Sequence, residues 1–553
     1  MNCWQNEACP REDAETGNVA KRAWTRIRRL ACCGATPVAS PCVWVALIVL
    51  LLIVTSCQAL PEPPRLATAT ARAALPPTPT LEPLLMTVAA PETAVAPSDL
   101  PDLSGEPNPS LTVWVDENSA VHEKAVGEIV DGFSQTHDVN VEVMFVAPGL
   151  LPELVETAAI SETYDLPDIV IHPLEYTIGW AERGILNADA AETAVTNLGR
   201  ETFNQDALDL VTMNGKPAAV PLDGFQQLLI YRSDWFADKN LDVPDNYAAM
   251  LAGAEAIYDP ENLKSGFVIP TESNLTTTHQ AFEQIAAANG CQLIDSSGEV
   301  LLLEPACLEA LQFYYSIVNQ FSPIGVQTDT SVLNAYLEGR TGMIMAPPSV
   351  LPQLAGLDAD NLPTCPECSR NPGHLAENSG IITQISGNGD LSANFGEIIS
   401  LGITNEADPE TAVAFAEYWL SEGYETWLAV ESERKVPMRN GTAADPGQFI
   451  EQWGLTPLED SGQSLTDLFG EETVTQLREG IAKSNRWGIV QEQGGLVTDL
   501  YRELTFSVVL QEMLSGYFNI DETLFEAYSR VLELIPDYAF TPALEPTPVP
   551  DDT

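Results

Sequence analysis

The chain has 553 residues, and its 79 Asp and Glu against 25 Lys and Arg give a formal net charge of -54 at pH 7. So acidic a surface excludes nucleic-acid binding, which needs clustered Lys and Arg to replace counterions, and it repels anionic lipid head groups. The apolar content of 45% is ordinary for a globular protein.

Residues 1–57 have the pattern of an export signal. Basic residues from Lys21 to Arg29 precede an unbroken apolar run from Val43 to Val54, and Ser56-Cys57 follows closely. This order is typical of a secretory signal, and a run of about 12 residues is shorter than the roughly 20 of a membrane-spanning helix. The segment resembles a bacterial lipobox, in which the signal is cut before the cysteine and Cys57 is acylated. The alternative is an uncleaved anchor whose cysteine is incidental. Both interpretations export the body and hold it at the outer face of the cell membrane.

A stretch rich in Pro, Ala and Thr follows, over residues 58–110. Such a segment has little apolar surface to bury, so it predicts a disordered linker that lets a folded body stand off the membrane. The C-terminal tail, residues 539–553, is also rich in proline and acidic residues and is predicted to be disordered.

The folded body begins with alternating strand and helix patterns. In chain order these are a β-rich run at Leu111–Val115, a helical repeat over Val121–Phe133, an alternating strand at Val139–Phe145, a helix from Pro152 and a buried strand at Pro167–Ile171. This order predicts a parallel sheet with right-handed crossovers. Further on, Asp408-Pro409 is a good helix start. Roughly 430 ordered residues are too many for one core, so at least two lobes are expected.

Four cysteines lie beyond Cys57, and an even number in an exported chain suggests disulfides. They are Cys291, Cys307, Cys365 and Cys368. A bond between Cys291 and Cys307 is plausible. Cys365-Pro-Glu-Cys368 is compatible with a loop staple, a redox pair or half a zinc site, and the staple is favoured. The histidines show no metal-ligand spacing, so neither a metal nor another cofactor is expected.

Short segments spread over residues 111–535 resemble a known family when taken in order. They are Leu111-Thr-Val-Trp-Val-Asp116, Leu166-Pro-Asp-Ile-Val-Ile171, Gly179-Trp-Ala-Glu-Arg-Gly-Ile-Leu186, Asn214-Gly-Lys-Pro-Ala-Ala-Val-Pro221, Leu229-Ile-Tyr-Arg-Ser-Asp-Trp-Phe236, Tyr336-Leu-Glu-Gly-Arg-Thr-Gly-Met343, Ile399-Ser-Leu-Gly-Ile403 and Lys435-Val-Pro437. This series is similar to extracellular solute-binding proteins, family 1, of ABC importers, which are typically sugar binders.

The resemblance implies an α/β, two-lobed periplasmic-binding-protein-like fold of type II, with a cleft between the lobes and crossing hinge strands. The chain should cross near Val220 to Leu229, near Ile399 to Ile403 and near Val436 to Arg439. The implied divisions are 1–57 as extension and lipoprotein signal, 58–110 as linker, 111–221 as the first part of lobe 1, 222–398 as the first part of lobe 2, 399–437 as the second part of lobe 1, 438–538 as the helical C-terminal part of lobe 2, and 539–553 as the tail.

The resemblance also places ligand contacts, since ligands of open α/β sheets bind beyond the carboxyl ends of the strands. Carboxylates accept hydrogen bonds from sugar hydroxyls, and an indole covers the apolar side of a sugar ring. The candidate ligand-binding residues are Trp114, Asp116, Glu117, His172, Glu175, Tyr176, Asp223, Phe225, Ser349, Arg439 and Trp487. The alternatives are a core role for Trp114, ordinary loop residues at 172–176 and hinge structure at Asp223 and Phe225. Ser349 ends a Pro-Pro-Ser segment where many sugar binders have Gly-Pro-Trp.

The function implied is capture of a small solute of the carbohydrate class by a monomer. Cleft closure would deliver that solute to the permease subunits of an ABC importer, with a separate ATPase chain. A lipid-anchored carbohydrate enzyme and a sensing or adhesion lipoprotein are the alternatives. The enzyme is disfavoured because the chain has no Gly-x-Ser-x-Gly elbow, no His-Glu-x-x-His and no phosphate-binding Gly loop.

Overall fold

The computed structural model describes residues 110–117, 119–147, 149–458, 461–481 and 484–536. The predicted signal, Cys57, almost all of the predicted linker and the predicted tail lie outside these described residues. Among the helices that are described, none combines the length and apolar character needed to cross a bilayer.

The described strands are short and belong to two main sheets and two small hairpins. They are β1 Ser110–Val115, β2 Asn140–Phe145, β3 Ile169–Pro173, β4 Thr212–Met213, β5 Lys216–Pro217, β6 Val220–Gln226, β7 Leu228–Arg232, β8 Met343–Ala346, β9 Ser379–Ile382, β10 Ile385–Ser386, β11 Ser392–Ala393, β12 Gly396–Ile403 and β13 Val436–Pro437.

The α-helices cover both faces of the larger sheet and surround the smaller one. They are α1 Ala120–His137, α2 Leu151–Ala159, α3 Leu174–Glu182, α4 Ala188–Leu198, α5 Gln205–Leu210, α6 Ser233–Lys239, α7 Tyr247–Ile257, α8 Thr276–Ala288, α9 Pro305–Phe321, α10 Asp329–Leu337, α11 Leu351–Leu354, α12 His374–Glu377, α13 Pro409–Leu420, α14 Tyr424–Leu428, α15 Gln448–Trp453, α16 Leu465–Gly480, α17 Gly494–Arg502, α18 Thr505–Leu514 and α19 Ile520–Leu534.

The first lobe is built on a six-stranded sheet in the order β13-β6-β12-β3-β1-β2. β1 runs parallel to β2 and β3, as the strand-helix alternation predicts. The other half of the sheet is mixed, because β12 is antiparallel to β3 and to β6, and β13 is antiparallel to β6. β12 returns from the second lobe and therefore enters the sheet from the opposite end.

Local sequence explains how the helices of this lobe start and pack. The Ser119 side chain caps α1 by accepting the His122 N–H, and Val126, Ile129 and Phe133 repeat along its buried face. Asp408 caps α13 in the same way, with proline in the first turn as predicted. These faces close over one side of the sheet.

The second lobe is built on a three-stranded sheet in the order β8-β7-β9. Helices α7, α8, α9, α18 and α19 enclose its apolar core. Two disulfides lie on this side of the molecule, one joining Cys291 to Cys307 and the other joining Cys365 to Cys368.

Two strands link the lobes side by side. β6 of the first sheet ends one residue before β7 of the second, and the backbone of that residue, Gln227, donates to the Phe395 carbonyl at 3.0 Å just before β12. Beyond β13 the chain reaches α17, which packs tightly on α3 because Gly179 and Gly494 leave no Cβ between the helices. The two-lobed α/β fold with crossing strands is confirmed, and the residue numbers of the lobe boundaries stay predictions.

Candidate functional site

A pocket of about 270 Å³ lies between the carboxyl ends of β1 and β3 and the first turn of α8. Its lining residues come from both lobes: Asp116, Glu117, Ile171, His172, Pro173, Glu175, Asp223, Phe225, Thr276, Thr277, Gln280, Glu397, Ile399, Trp427, Arg434 and Lys435. Larger depressions lie on the outer surface, such as one of about 580 Å³ between α4 and α13. The strand-end pocket differs in collecting buried charged side chains.

Six of the residues proposed from the sequence meet in this pocket. They are Asp116, Glu117, His172, Glu175, Asp223 and Phe225. Asp116 and Glu117 follow the parallel strand β1. His172 is the penultimate residue of the parallel strand β3 and Glu175 follows that strand, so all four lie where strand polarity directs ligand contacts. Asp223 and Phe225 lie on β6 close to its crossing into the second lobe. Their role in binding stays a proposal.

The structure does not bring the other five candidates to this pocket. Trp114 is partly buried against the hydrophobic cluster that contains Trp180, and Tyr176 stacks on Trp180 with ring centroids 5.2 Å apart. Arg439 donates to the Leu420 and Leu198 carbonyls at 2.6 and 2.9 Å, so its guanidinium ties helices together.

Trp487 and Ser349 also lie away from the pocket lining. The Trp487 indole N–H donates to the Cys291 carbonyl at 3.0 Å, and its ring packs in the second-lobe core against Phe506. Ser349 lies in the short 3-10 helix Pro348–Val350 after β8. The sequence pattern did not indicate the surroundings of Trp487 or of Ser349, because both depend on contacts between distant segments.

Several lining residues were missed by the sequence reasoning. Glu397 is the second residue of β12, Arg434 and Lys435 precede β13, and Trp427 lies on α14. Trp427 is only 2% exposed, yet it also lines the pocket. A usable signal was the adjacent Arg-Lys pair next to a predicted crossing, in a chain with so few basic residues.

The first charge cluster surrounds Arg434 and Lys435. Arg434 forms a close ion pair with Glu117, and its Nη1 lies 3.5 Å from Glu431 Oε2. Lys435 Nζ donates to the Trp427 carbonyl and to His122 Nε2, both at 3.1 Å, and lies 3.5 Å from the Trp427 ring centre. Both cations are therefore occupied by protein groups.

Burial in this cluster changes proton affinities. Burial and the neighbouring Glu117 raise the pKa of Asp116 to about 7, and burial raises the pKa of Asp223 to about 6 although Lys435 opposes it. Asp223 Oδ2 accepts the Trp427 indole N–H at 2.6 Å. Burial, and next the charge of Arg434, lower the pKa of Lys435 to about 8, although the charge of Asp223 opposes this shift.

The second charge cluster surrounds Arg486. Its guanidinium lies 3.5 Å from Glu175, 3.5 Å from Glu283 and 3.3 Å from Glu397, and all four side chains are almost fully buried. Glu283 also accepts the Tyr501 hydroxyl at 3.0 Å. One arginine thus joins a first-lobe helix, a crossing strand and a second-lobe helix.

Glu175 differs from the other two glutamates of that cluster. Burial, and next the charge of Glu397, raise the pKa of Glu175 well above its usual range. Glu397 Oε1 accepts the Leu174 and Ile398 N–H groups at 3.0 and 3.1 Å. Glu175 Oε2, by contrast, has no hydrogen-bond partner among the described residues. The geometry offers donors and acceptors to a polar solute, beside the aromatic side chains of Phe225 and Trp427.

Comparisons with known proteins agree with this geometry. Residues 117–358 match the family model described as bacterial extracellular solute-binding protein. A putative ABC transporter periplasmic-binding protein of Escherichia coli K12, YcjN, is 26% identical over 195 residues, which cover 35% of this chain and 45% of that protein. The chain therefore spans less than half the length of this curated relative.

Solved structures with the same fold align over most of the described body. The GacH receptor of Streptomyces glaucescens, solved unliganded and with acarbose, is 17% identical with a TM-score of 0.59 over 78% of this chain and 100% of its own. A solute-binding protein of Agrobacterium radiobacter in complex with ribitol is 17% identical with a TM-score of 0.60 over 77% of this chain and 99% of its own. Maltose-bound MalE3 of T. maritima is 16% identical with a TM-score of 0.58 over 77% of this chain and 100% of its own. The resemblance of the sequence to the bacterial extracellular solute-binding proteins is confirmed by the match over residues 117–358.

Proposed function

We propose that this protein captures a small polyhydroxylated solute of the carbohydrate class outside the cytoplasm and delivers it to an ABC importer. The single observation that carries the proposal is the pocket whose walls come from both lobes. Asp116, Glu175 and Asp223 stand on the first-lobe side, and Thr276 and Gln280 of α8 face them from the second. A solute held there would contact both lobes at once.

The architecture supports delivery by lobe closure. Within the described residues only a few backbone crossings join the lobes, and hinge closure around a ligand is a known mode of motion for two-lobed proteins. A solute that bridges the lobes stabilises the closed form by its extra contacts, and the closed surface is what a permease could read. The similar proteins with acarbose, ribitol and maltose support a hydroxyl-rich ligand.

A thermal-shift screen tests the proposed function. The full chain would be mixed with sugars, oligosaccharides, polyols, sugar phosphates, polyamines and amino acids. A ligand at 100 times its dissociation constant stabilises the folded state by about 2.7 kcal/mol, which gives a readable shift. A hit among sugars or polyols supports the proposal. A folded protein that responds to nothing in the panel contradicts it.

The lipid anchor is a separate part of the proposal. Cys57 lies outside the described residues, and its acylation rests on the lipobox-like sequence alone. We expect Cys57→Ser to block processing or to release the body from membranes. Fractionation of cells that express either form measures this, with Cys42→Ser as the matched cysteine control. Unchanged membrane attachment and unchanged gel mobility of Cys57→Ser would exclude the anchor.

A further inference from the structure

The pocket lining has an excess of acidic groups. Five lining residues are carboxylic acids, namely Asp116, Glu117, Glu175, Asp223 and Glu397, whereas two are cations, Arg434 and Lys435. Both cations already pair with protein groups, Arg434 with Glu117 and Glu431, and Lys435 with the Trp427 carbonyl and His122. The pocket therefore disfavours sugar phosphates and sugar acids.

Two buried carboxyl oxygens lack a hydrogen-bond donor among the residues that the structure describes. One is Asp116 Oδ1. The other is Oε2 of Glu175, a side chain that lines the pocket and is only 3% exposed. Buried polar atoms are normally hydrogen-bonded, so a ligand that fills the pocket is expected to bring donors.

The two oxygens sit in different electrostatic settings. Glu175 Oε2 lies 3.5 Å from Arg486 Nη2, so a cation already stands behind it. Asp116 appears in none of the ion pairs between described residues, and its carboxylate is stabilised by the Gly149 N–H and by the more distant charge of Arg434. A positively charged group on the ligand would form an ion pair with Asp116, and a ligand hydroxyl would donate a hydrogen bond to Glu175 Oε2.

We propose that the solute carries a protonated amine on a hydroxylated ring, as amino sugars and aminocyclitols do, with the ammonium group at Asp116. This inference rests on the proposed function and names the chemical class of its ligand. A charge-assisted hydrogen bond to a buried carboxylate is roughly twice as strong as a neutral one. A metal ion is a poorer occupant, because no group of three or more metal-ligating side chains is found within the described part of the chain. The volume of about 270 Å³ suits a monosaccharide-sized molecule.

Matched triads of small molecules test the charge of the ligand. Glucose, glucosamine and glucuronate form one triad, and galactose, galactosamine and galacturonate form another. N-acetylglucosamine keeps the nitrogen but removes its charge. Titration calorimetry on the full chain measures the dissociation constants. In at least one triad the amino sugar is expected to bind at least about tenfold more tightly than the neutral sugar, and the sugar acid is expected to bind most weakly.

Asp116→Asn locates the interaction. This variant is expected to lose most of the preference for the amine while it retains binding of the neutral parent. Asp131→Asn, an equal change at an exposed position on α1, is the matched control and should keep the preference. If Asp116→Asn keeps the full preference for the amine, the assignment of the ammonium to Asp116 is wrong.

The remaining outcomes separate this inference from the proposed function. A neutral sugar or a sugar acid that binds more tightly than its amine overturns the inference and leaves solute binding intact. If no member of either triad binds but another compound of the thermal-shift panel does, the inference is likewise overturned and solute binding stands. Silence across both triads and the whole panel overturns the inference and the proposed function together.

Discussion

The two buried charge clusters beside the cleft differ in where their unsatisfied groups lie. Around Arg486, Glu283 and Glu397 each accept hydrogen bonds from backbone or side-chain donors, and the arginine spans both lobes, while the unpartnered Glu175 Oε2 lies 3.5 Å from that cation. Around Arg434 and Lys435 the cations are paired, but Asp116 Oδ1 has no hydrogen-bond partner among the described residues and Asp116 forms no ion pair with them. The first cluster joins the two lobes, and the second leaves a carboxylate without a paired cation at the strand ends, where we propose that the ligand binds.

The largest expected effect comes from breaking the Arg486 cluster. Arg486→Met leaves three buried glutamates without their shared cation, which should lower the free energy of unfolding by about 3–5 kcal/mol. Urea denaturation measures the change. Arg530→Met is the matched control, because Arg530 pairs with Glu512 and Glu526 at the surface, where a loss of about 1 kcal/mol or less is expected. Equal losses in the two variants would mean that the Arg486 cluster contributes nothing special.

Glu175 is part of the Arg486 cluster and also lines the pocket. We expect Glu175→Ala to weaken binding of the solute found in the screen by about 1–3 kcal/mol, since a buried hydrogen bond is lost. Titration calorimetry measures this, with Glu128→Ala on α1 as an exposed control. An unaltered dissociation constant in a folded Glu175→Ala protein would remove Glu175 from the site.

The protonation of Asp116 should make the free energy of unfolding depend on pH. Its pKa is raised to about 7 in the folded state, above the value of about 3.9 in an unfolded chain. The folded state therefore binds this proton more tightly, and the resulting stabilisation is complete below about pH 4 and is lost as the pH rises to about 7. Asn cannot titrate, so Asp116→Asn should gain about 3 kcal/mol relative to the wild type over that interval.

Urea denaturation of both proteins at several pH values in that interval measures the difference. Asp131→Asn again serves as the control and should follow the wild-type curve, because Asp131 is exposed. Parallel curves for Asp116→Asn and the wild type would show that Asp116 titrates normally in the folded protein.

The first half of the larger sheet was predictable from the sequence because its pattern is local. The alternating run that became β2 and the helical repeat of α1 need no distant contact to be recognised. The rule that ligands bind at strand ends then pointed to Asp116, Glu117 and His172, which do meet in one pocket.

The rest of the site was not predictable because it depends on strands that return from the other lobe. Glu397 and Lys435 reach the pocket through β12 and the approach to β13, whose antiparallel places in the sheet have no local signature. The second-lobe wall comes from the first turn of α8, a largely buried helix that local pattern does not distinguish from the other helices. Arg439 and Trp487 show the converse error, since their polar groups bind backbone carbonyls.

The central claim is that a solute in this pocket draws the two lobes together. Small-angle X-ray scattering of the free protein and of the protein saturated with the solute that gives the largest thermal shift tests it most directly. The account predicts a smaller radius of gyration in the bound state, because the ligand bridges Asp116 and Glu175 on one wall and Gln280 on the other. Full occupancy shown by calorimetry, together with an unchanged scattering curve, would contradict it.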